Sequence, residues 1–502
     1  MTATQAYSEL VRRSREAALL GSAASLLAWD QETYMPKGGG EHRGEQLALM
    51  AGLVHQRRTD PVIGELLAVA EASELVADPE SPESANVREW RRSYDRATKL
   101  PAKLVEELAR TESLAQQAWV EAKPKSDFAA FAPWLEKMIG LKKAQAEAIG
   151  YQEHLYDALI DDYEPGAKVS ELRPLFVRLR ERLAPLVAKI GAASRKPDES
   201  MLRRDFPLEA QREFGSKTAA EFGFDFERGR LDVTSHPFCM GVGPGDCRLT
   251  TRYDAGYFND GFFSILHEAG HGMYEQGLEA AHYGTPMGEA VSLGVHETQS
   301  RLWENRVGRS AAFWKGRFAS AQGAFPSLKG AGRDAFHFAI NAVAPTFIRV
   351  DADEATYNLH VILRFEIEQD LLTGALPVAD VPTAWNAKME ELLGVTPPDD
   401  RRGCLQDVHW SAGLFGYFPT YALGNIGAAQ LAAAADRDLG GLDATIEKGD
   451  FGALREWLRD RVHRHGMRYR PGDLLRRATG SALDPDLLLS QLEAKYGALY
   501  GI

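Results

Sequence analysis

Phe262-Phe263-Ser264-Ile265-Leu266-His267-Glu268-Ala269-Gly270-His271-Gly272-Met273-Tyr274 is the stretch around which the chain is organised. Apolar side chains flank His267-Glu268-Ala269-Gly270-His271, and in a helix the histidines at i and i+4 stand one above the other on one face. Two imidazoles so placed can hold one metal ion. Glu268 lies about 100° further around the helix. It is poorly placed as a third ligand but can lean over a water at an open coordination position, which makes it the candidate general base.

Composition narrows the class. The 502 residues are 44% hydrophobic and 26% charged, the balance of a globular protein long enough for two or three subdomains. No run of about 18 consecutive apolar residues occurs, and Met1-Thr2-Ala3-Thr4-Gln5 lacks the basic-then-apolar order of a signal peptide. A cytoplasmic protein is expected. Cys239, Cys247 and Cys404 have no CxxC spacing and cannot build a disulfide framework, so nitrogen and oxygen ligands are expected and the cysteines read as small buried filler. With 71 acidic against 58 basic residues the net charge is −13, which argues against nucleic acid or a membrane as a general partner.

Residues 1–230 read as amphipathic helices. Ser8 to Trp29 is broken by Tyr34-Met35-Pro36-Lys37-Gly38-Gly39-Gly40 and resumes near Arg43, a helical hairpin. Leu100-Pro101 opens a long helix with Leu104, Leu108, Leu114 and Trp119 at near-helical spacing. Further helices are expected over 130–149, 170–194 and 208–223, with a turn at Asp161-Asp162-Tyr163-Glu164-Pro165-Gly166 whose carboxylates read as solvated.

Near residue 230 the period changes to two. Across residues 246–253, Arg248, Thr250 and Arg252 share one face of a strand and Cys247, Leu249, Thr251 and Tyr253 the other. This is either a structural hairpin or an edge to which a peptide main chain could pair. Asn259 or Asp260 is expected to cap the metal helix.

Gly288 to Arg306 reads as the next helix and contains His296-Glu297-Thr298-Gln299-Ser300. Two-histidine sites are commonly completed by a carboxylate from a following helix. Glu297, 26 positions past His271, is the expected third ligand, Glu289 the weaker candidate, and His296 is expected to orient Glu297 or pack near it. Phe347 to Asp353 reads as a short strand or extended turn, with Asp353 capping a helix from Glu354. Arg349 there is either an ion-pair partner of Asp351 or Asp353 or a bidentate carboxylate fork. Gly403 to Trp410 leads into the aromatic run Gly413 to Tyr421. His409 with Tyr417 or Tyr421 is suited to stabilising an oxyanion, or the segment is a packed aromatic corner. Residues 422–502 read as closing helices, with Arg461 to Arg470 a solvated basic stretch.

Together these motifs resemble the M32 family of zinc metallocarboxypeptidases, the carboxypeptidase Taq type. The similarity rests on an ordered series: Trp29 to Pro36, His236-Pro237-Phe238, Asp246-x-Arg248-x-Thr250, His267-Glu268-x-x-His271, His296-Glu297, Ile348-Arg349-x-x-Ala352-Asp353 and Gly403-x-x-Gln406-Asp407-x-His409-Trp410. Thr298 stands where the family usually has Ser. The resemblance implies a mainly α, two-lobed metallopeptidase with a deep groove and a small β-sheet near the active site. It also implies a homodimer that removes single residues from peptide C-termini with broad specificity. Metal ligands fall on His267, His271 and Glu297 and the catalytic carboxylate on Glu268. The expected cofactor is one Zn2+ per chain, with Co2+ able to substitute. The substrates expected are peptides with a free C-terminus.

Residues 1–502 are expected to be one peptidase unit, with a helical lobe over 1–230, a catalytic core over 231–430 and closing helices over 431–502. Exopeptidase action needs a group for the terminal carboxylate. Arg349 is the first choice and Arg248 the second, with His236 also placed among the substrate contacts. The rivals are a helical zinc oligopeptidase or dipeptidase and a non-catalytic helical interaction protein.

Overall fold

Amphipathic periodicity becomes helix along most of the chain, which the computed structural model describes from residue 1 to residue 502. Nine helices come first: α1 (Ala3–Thr33), α2 (Gly40–Thr59), α3 (Pro61–Glu71), α4 (Pro82–Lys99), α5 (Ala102–Lys125), α6 (Phe128–Ile149), α7 (Leu155–Ile160), α8 (Val169–Ala192) and α9 (Leu208–Phe222). The strands β1 (Gly229–Val233), β2 (Cys239–Gly243) and β3 (Asp246–Thr251) follow. Then come α10 (Phe258–Gly277), α11 (Leu293–Arg301), α12 (Ala311–Ala324), α13 (Arg333–Ile340), α14 (Tyr357–Thr373), α15 (Val381–Leu393), α16 (Pro419–Leu439), α17 (Leu442–Lys448), α18 (Phe451–Arg461), α19 (Pro471–Thr479) and α20 (Asp486–Tyr500). The protein is thus mainly α with one small sheet.

Two large apolar cores give the molecule its two lobes. One is built from α5–α8, α14, α15 and α20, the other from α9, β3, α10–α13 and α17–α19. Helix α16 belongs to both, Ala422 to Ala429 in the first and Ala428 to Ala435 in the second. A small third cluster ties α1 to α3 and α4 through Leu10, Leu66 and Val87. The division at 230 follows a change of sequence period and the one at 430 falls inside α16, whereas each core draws on segments from both sides of them.

Several local readings are corrected. Leu114 is exposed, because it lies a turn and a half from Leu108 and so faces solvent. Of the turn carboxylates only Asp162 is exposed: Asp161 pairs with Arg92 and Arg96, and Glu164 is buried, accepting from the main-chain N of Gly294 at 3.0 Å. Strand β3 ends at Thr251 and is the middle strand, parallel to β1 and antiparallel to β2, so its main chain is already paired on both sides. No free edge remains there for a peptide.

The N-cap position of helix α10 is Tyr257, two residues before Asn259 and three before Asp260, and Asp260 instead pairs with Arg252. Helix α11 starts at Leu293 rather than Gly288, where the Ser292 hydroxyl accepts from Val295 N at 3.0 Å. It runs on past Arg301 as a π-helical segment, Leu302–Gly308. Asp353 does accept from the N–H groups of Ala355 and Thr356, but regular helix begins at Tyr357, and residues 349–351 form a 3-10 turn, not a strand. Within the basic stretch His463 is buried and meets Gln299 Oε1 at 2.9 Å, while Arg461 and Arg464 remain exposed.

Close approach of α10, α11 and α16 is what positions the site, and glycines permit it. A Cβ at Gly270 would sit 2.6 Å from Gln299 O and Ser300 Cα, and one at Gly424 would overlap the side chain of Glu297. Gly427 receives the methyl of Thr298, with only 2.6 Å between Cγ2 and a Cβ built there. The departure from Ser to Thr is therefore accommodated by a glycine on the facing helix. Gly427→Ala should cost about 1–3 kcal/mol through overpacking. Gly140→Ala, on exposed α6 surface with nothing within 4 Å, should instead gain about 0.5–1 kcal/mol. Denaturant unfolding of the two variants checks both signs.

Candidate functional site

Helix α10 presents His267 and His271 on one face, and α11, returning across Gly270, brings Glu297 to them. Nε2 of His271 is 3.3 Å and Nε2 of His267 3.6 Å from Glu297 Oε2, and the three ligand atoms lie within 4.8 Å of one another. Donors about 2.0–2.2 Å from a tetrahedral ion lie about 3.4 Å apart, so the donor set of two nitrogens and one oxygen fits a small divalent cation. No cysteine belongs to it.

The groups behind the ligands fix their tautomers. His267 Nδ1 meets Glu304 Oε2 at 3.0 Å, so Nδ1 carries the proton and Nε2 keeps its lone pair. His271 Nδ1 meets His296 Nδ1 at 2.5 Å, and His296 Nε2 meets Glu275 Oε1 at 2.8 Å. One consistent assignment has His271 donating to His296 and His296 donating to Glu275, again leaving Nε2 of His271 free. His296 thus supports His271 and not Glu297. Burial holds His271 down to about 3, neutral as a ligand must be.

Glu297 is oriented by its own helix. Arg301 Nε donates to Oε1 at 2.7 Å and Ser300 Oγ to Oε2 at 3.0 Å. Burial alone would raise its carboxyl, but Arg301 and the two histidines outweigh burial and hold it well below the usual range. Glu304 likewise sits at about 2, burial being outweighed by His267, Arg301 and Arg309. Glu268 differs. No arginine pairs with it, and burial lifts it to about 7, with His267 opposing and Glu297 adding to the rise. Glu289 is not among the clustered ligands.

A second group lies beside the first. Arg301 stacks over Tyr357 at 4.3 Å, and Tyr357 Oη accepts from Arg349 Nη1 at 2.7 Å. Arg349 Nε and Nη2 both donate to Asp407 Oδ1, at 3.1 and 2.9 Å, while Arg364 holds Oδ2 from the other side. The partner of Arg349 is therefore Asp407, not Asp351 or Asp353. His409 Nε2 lies 3.3 Å from Tyr421 Oη, and the Tyr417 ring is 5.2 Å from that of His409. The negative charge of Glu297 contributes to raising both tyrosines, after burial. Arg248 is on the sheet, bidentate to Asp246 at 2.8 Å and stacked 4.2 Å over Trp29. His236 is exposed in the loop between β1 and β2.

Glu304, Arg301, Glu275, Tyr357 and Arg364 were not singled out from the sequence. Spacing carried a signal for three of them. Arg301 is four positions past Glu297, whose carboxylate it holds; Glu304, seven past Glu297, faces across to His267, and Glu275, four past His271, reaches that ligand through His296.

A family model described as carboxypeptidase Taq (M32) metallopeptidase matches residues 9–496. The chain is 50% identical to thermostable carboxypeptidase 1 of Thermus thermophilus, over all of both chains. It is 42% identical to carboxypeptidase 1 of Bacillus subtilis, over 95% of each. Among solved structures, an M32 carboxypeptidase from Deinococcus radiodurans R1 superposes with a TM-score of 0.96 at 42% identity, covering 99% of this chain and 100% of that one.

Two outcomes follow from the site. Glu304→Gln, which removes the charged partner of His267, should weaken divalent-metal binding about 10- to 100-fold in chelator competition. His409 is held down to about 3 by burial, with Arg349 and Arg364 adding and Asp407 opposing, against an ordinary 6.5. Between those values the unfolded chain binds a proton there that the folded chain does not, so stability rises with pH through the window and is lost on acidification. His409→Gln should remove about 1.4 kcal/mol per pH unit of that slope, read from urea unfolding of metal-free protein at several pH values. An unchanged slope would mean that His409 is protonated in the folded state.

Proposed function

The chain belongs to the carboxypeptidase Taq (M32) family and is a metallocarboxypeptidase; on that premise we propose that its divalent ion is one Zn2+ per chain, held by His267, His271 and Glu297. The observation that carries the assignment is the convergence of those three ligand atoms within 4.8 Å, with both imidazoles turned Nε2-inward. Imidazole and carboxylate donors suit zinc, and Co2+ would fit the same set. Such an ion supplies Lewis acidity toward a water and toward the scissile carbonyl.

The chain's residues do the rest. Glu268, lifted to about 7 by burial, takes a proton from the attacking water on its carboxylate and delivers it to the leaving amine near neutral pH. His409, neutral at that pH, and Tyr421 or Tyr417 are the donors assigned to the developing oxyanion, where one donor is worth about 3 kcal/mol. Arg349 is assigned to the substrate's terminal carboxylate. Of its five N–H groups three are engaged by Asp407 and Tyr357, leaving one on each terminal nitrogen to grip a carboxylate end-on. Arg248, braced by Asp246 and Trp29, and His236 are assigned to the rest of the peptide.

The whole of 1–502 acts as one peptidase unit in this reading, with broad specificity, as a homodimer in the cytoplasm. The cysteines, without CxxC spacing, fit a reducing compartment. No helix is long and apolar enough to cross a membrane.

Mass spectrometry of an unblocked peptide incubated with zinc-loaded protein tests the proposal. A ladder shortening from the C-terminus is expected, and none from the same peptide amidated. Glu268→Gln should bind zinc as tightly as the parent while losing about 10²- to 10⁴-fold in kcat. Internal cleavage, or equal turnover of the amidated peptide, would point to an oligopeptidase instead.

A further inference from the structure

The sequence places Cys239 and Cys247 as separate filler, yet the sheet brings them together. In the antiparallel register Cys239 faces Leu249 and Gly241 faces Cys247, so the cysteines are diagonal neighbours on one face. Their Sγ atoms lie 3.7 Å apart. Gly241, opposite Cys247, has no side chain to separate them. Cys247 is buried, with its Sγ 3.8 Å from the carbonyl oxygen of Gly272, the residue after the ligand His271. Cys239 is half-buried. A cavity of about 290 Å³ between α1 and the 241–245 turn is lined by Gly241, Cys247 and Glu275, and so borders the pair on the Cys247 side.

We propose that Cys239 and Cys247 form an oxidisable dithiol beneath the metal helix, converted to a disulfide by a peroxide. Cys239, the less buried residue of the two, loses its proton and attacks one peroxide oxygen, giving a sulfenic acid and water. Cys247 sulfur then displaces that hydroxyl as a second water. Two thiols and one hydrogen peroxide yield one disulfide and two waters. The hydrogen bond with Cys247, and then burial, hold the Cys239 proton on, so the first step is slow.

The bridge has a mechanical consequence. Its sulfurs must close from 3.7 Å to about 2.05 Å. Middle strand β3 is paired on both sides, so edge strand β2 moves, and its pairing is already irregular between Gly241 and Gly243. Gly241 backs directly on Glu275: a Cβ built there would lie 2.5 Å from Oε2. Glu275 holds His296, and His296 holds His271. Moving β2 therefore disturbs the hydrogen-bond chain behind one ligand, and an outer-shell change of that kind is worth about 10- to 100-fold in metal affinity.

The test uses the full-length zinc-loaded protein treated with hydrogen peroxide. Peptide mapping without reduction reports the cross-link, a chelating dye reports zinc, and dithiothreitol tests reversal. A Cys239–Cys247 link is expected with a 10- to 100-fold weaker hold on zinc, restored by the thiol. Cys404→Ser should behave like the parent, and Cys239→Ser and Cys239→Ala should show neither effect while melting at matching temperatures. Sulfinic acid at Cys239 without a link overturns the dithiol, and a link with unchanged zinc retention overturns its coupling to the site. The link is read without reference to metal, so a protein that never bound zinc would refute the zinc assignment and leave the dithiol standing or falling on the cross-link.

Discussion

A carboxylate sealed between two imidazoles and an arginine is the constraint from which the rest of the structure follows. Removing a charge from water costs several kcal/mol unless partners replace the solvent, and Glu297 is buried. Arg301 and Ser300 restore part of its solvation from its own helix, and His267 and His271 face the remaining oxygen. That geometry exists only because three helix backbones come together where Gly270, Gly424 and Gly427 carry no side chain. Helix α16, shared by both apolar cores, presses α11 onto α10, so the packing of both lobes bears on the position of one carboxylate.

The same burial separates three acids by role. Glu297 and Glu304 each accept from Arg301 and are held low, whereas Glu268, equally enclosed but without an arginine, is held near neutrality. Two of them are fixed as anions that orient or bind, and the third can gain and lose a proton at working pH. A parallel arrangement governs Asp407, whose charge is shared by Arg349 and Arg364. Removing Asp407 would leave two guanidinium groups facing each other.

Much of this was legible in the residues. The i, i+4 histidines, the acid 26 positions on and the shift to period two near residue 230 each pointed to the element that formed. Helix ends were less legible, because caps depended on distant partners. Helix α11 starts at Leu293 because its N–H bonds to Tyr163 O and Gly294 N–H to Glu164, both from a turn that looks solvated in the sequence. The π-helical segment after Arg301 gave no local signal. Nor did β3 announce itself as a middle strand, since alternation within one strand does not tell which strands, β1 in parallel and β2 antiparallel, will pair with it. Arg349 illustrates the limit well: its neighbours Asp351 and Asp353 looked like its partners, but the chain folds back to supply Asp407. Cys239 and Cys247, eight positions apart, meet only because a tight turn pairs their strands.

The most direct measurement is anomalous diffraction at the zinc edge from crystals of the zinc-loaded protein. One strong peak within about 2.0–2.2 Å of His267 Nε2, His271 Nε2 and a Glu297 oxygen is the predicted result. A peak elsewhere, or one at that pocket with Glu297 turned away from it, would contradict the account.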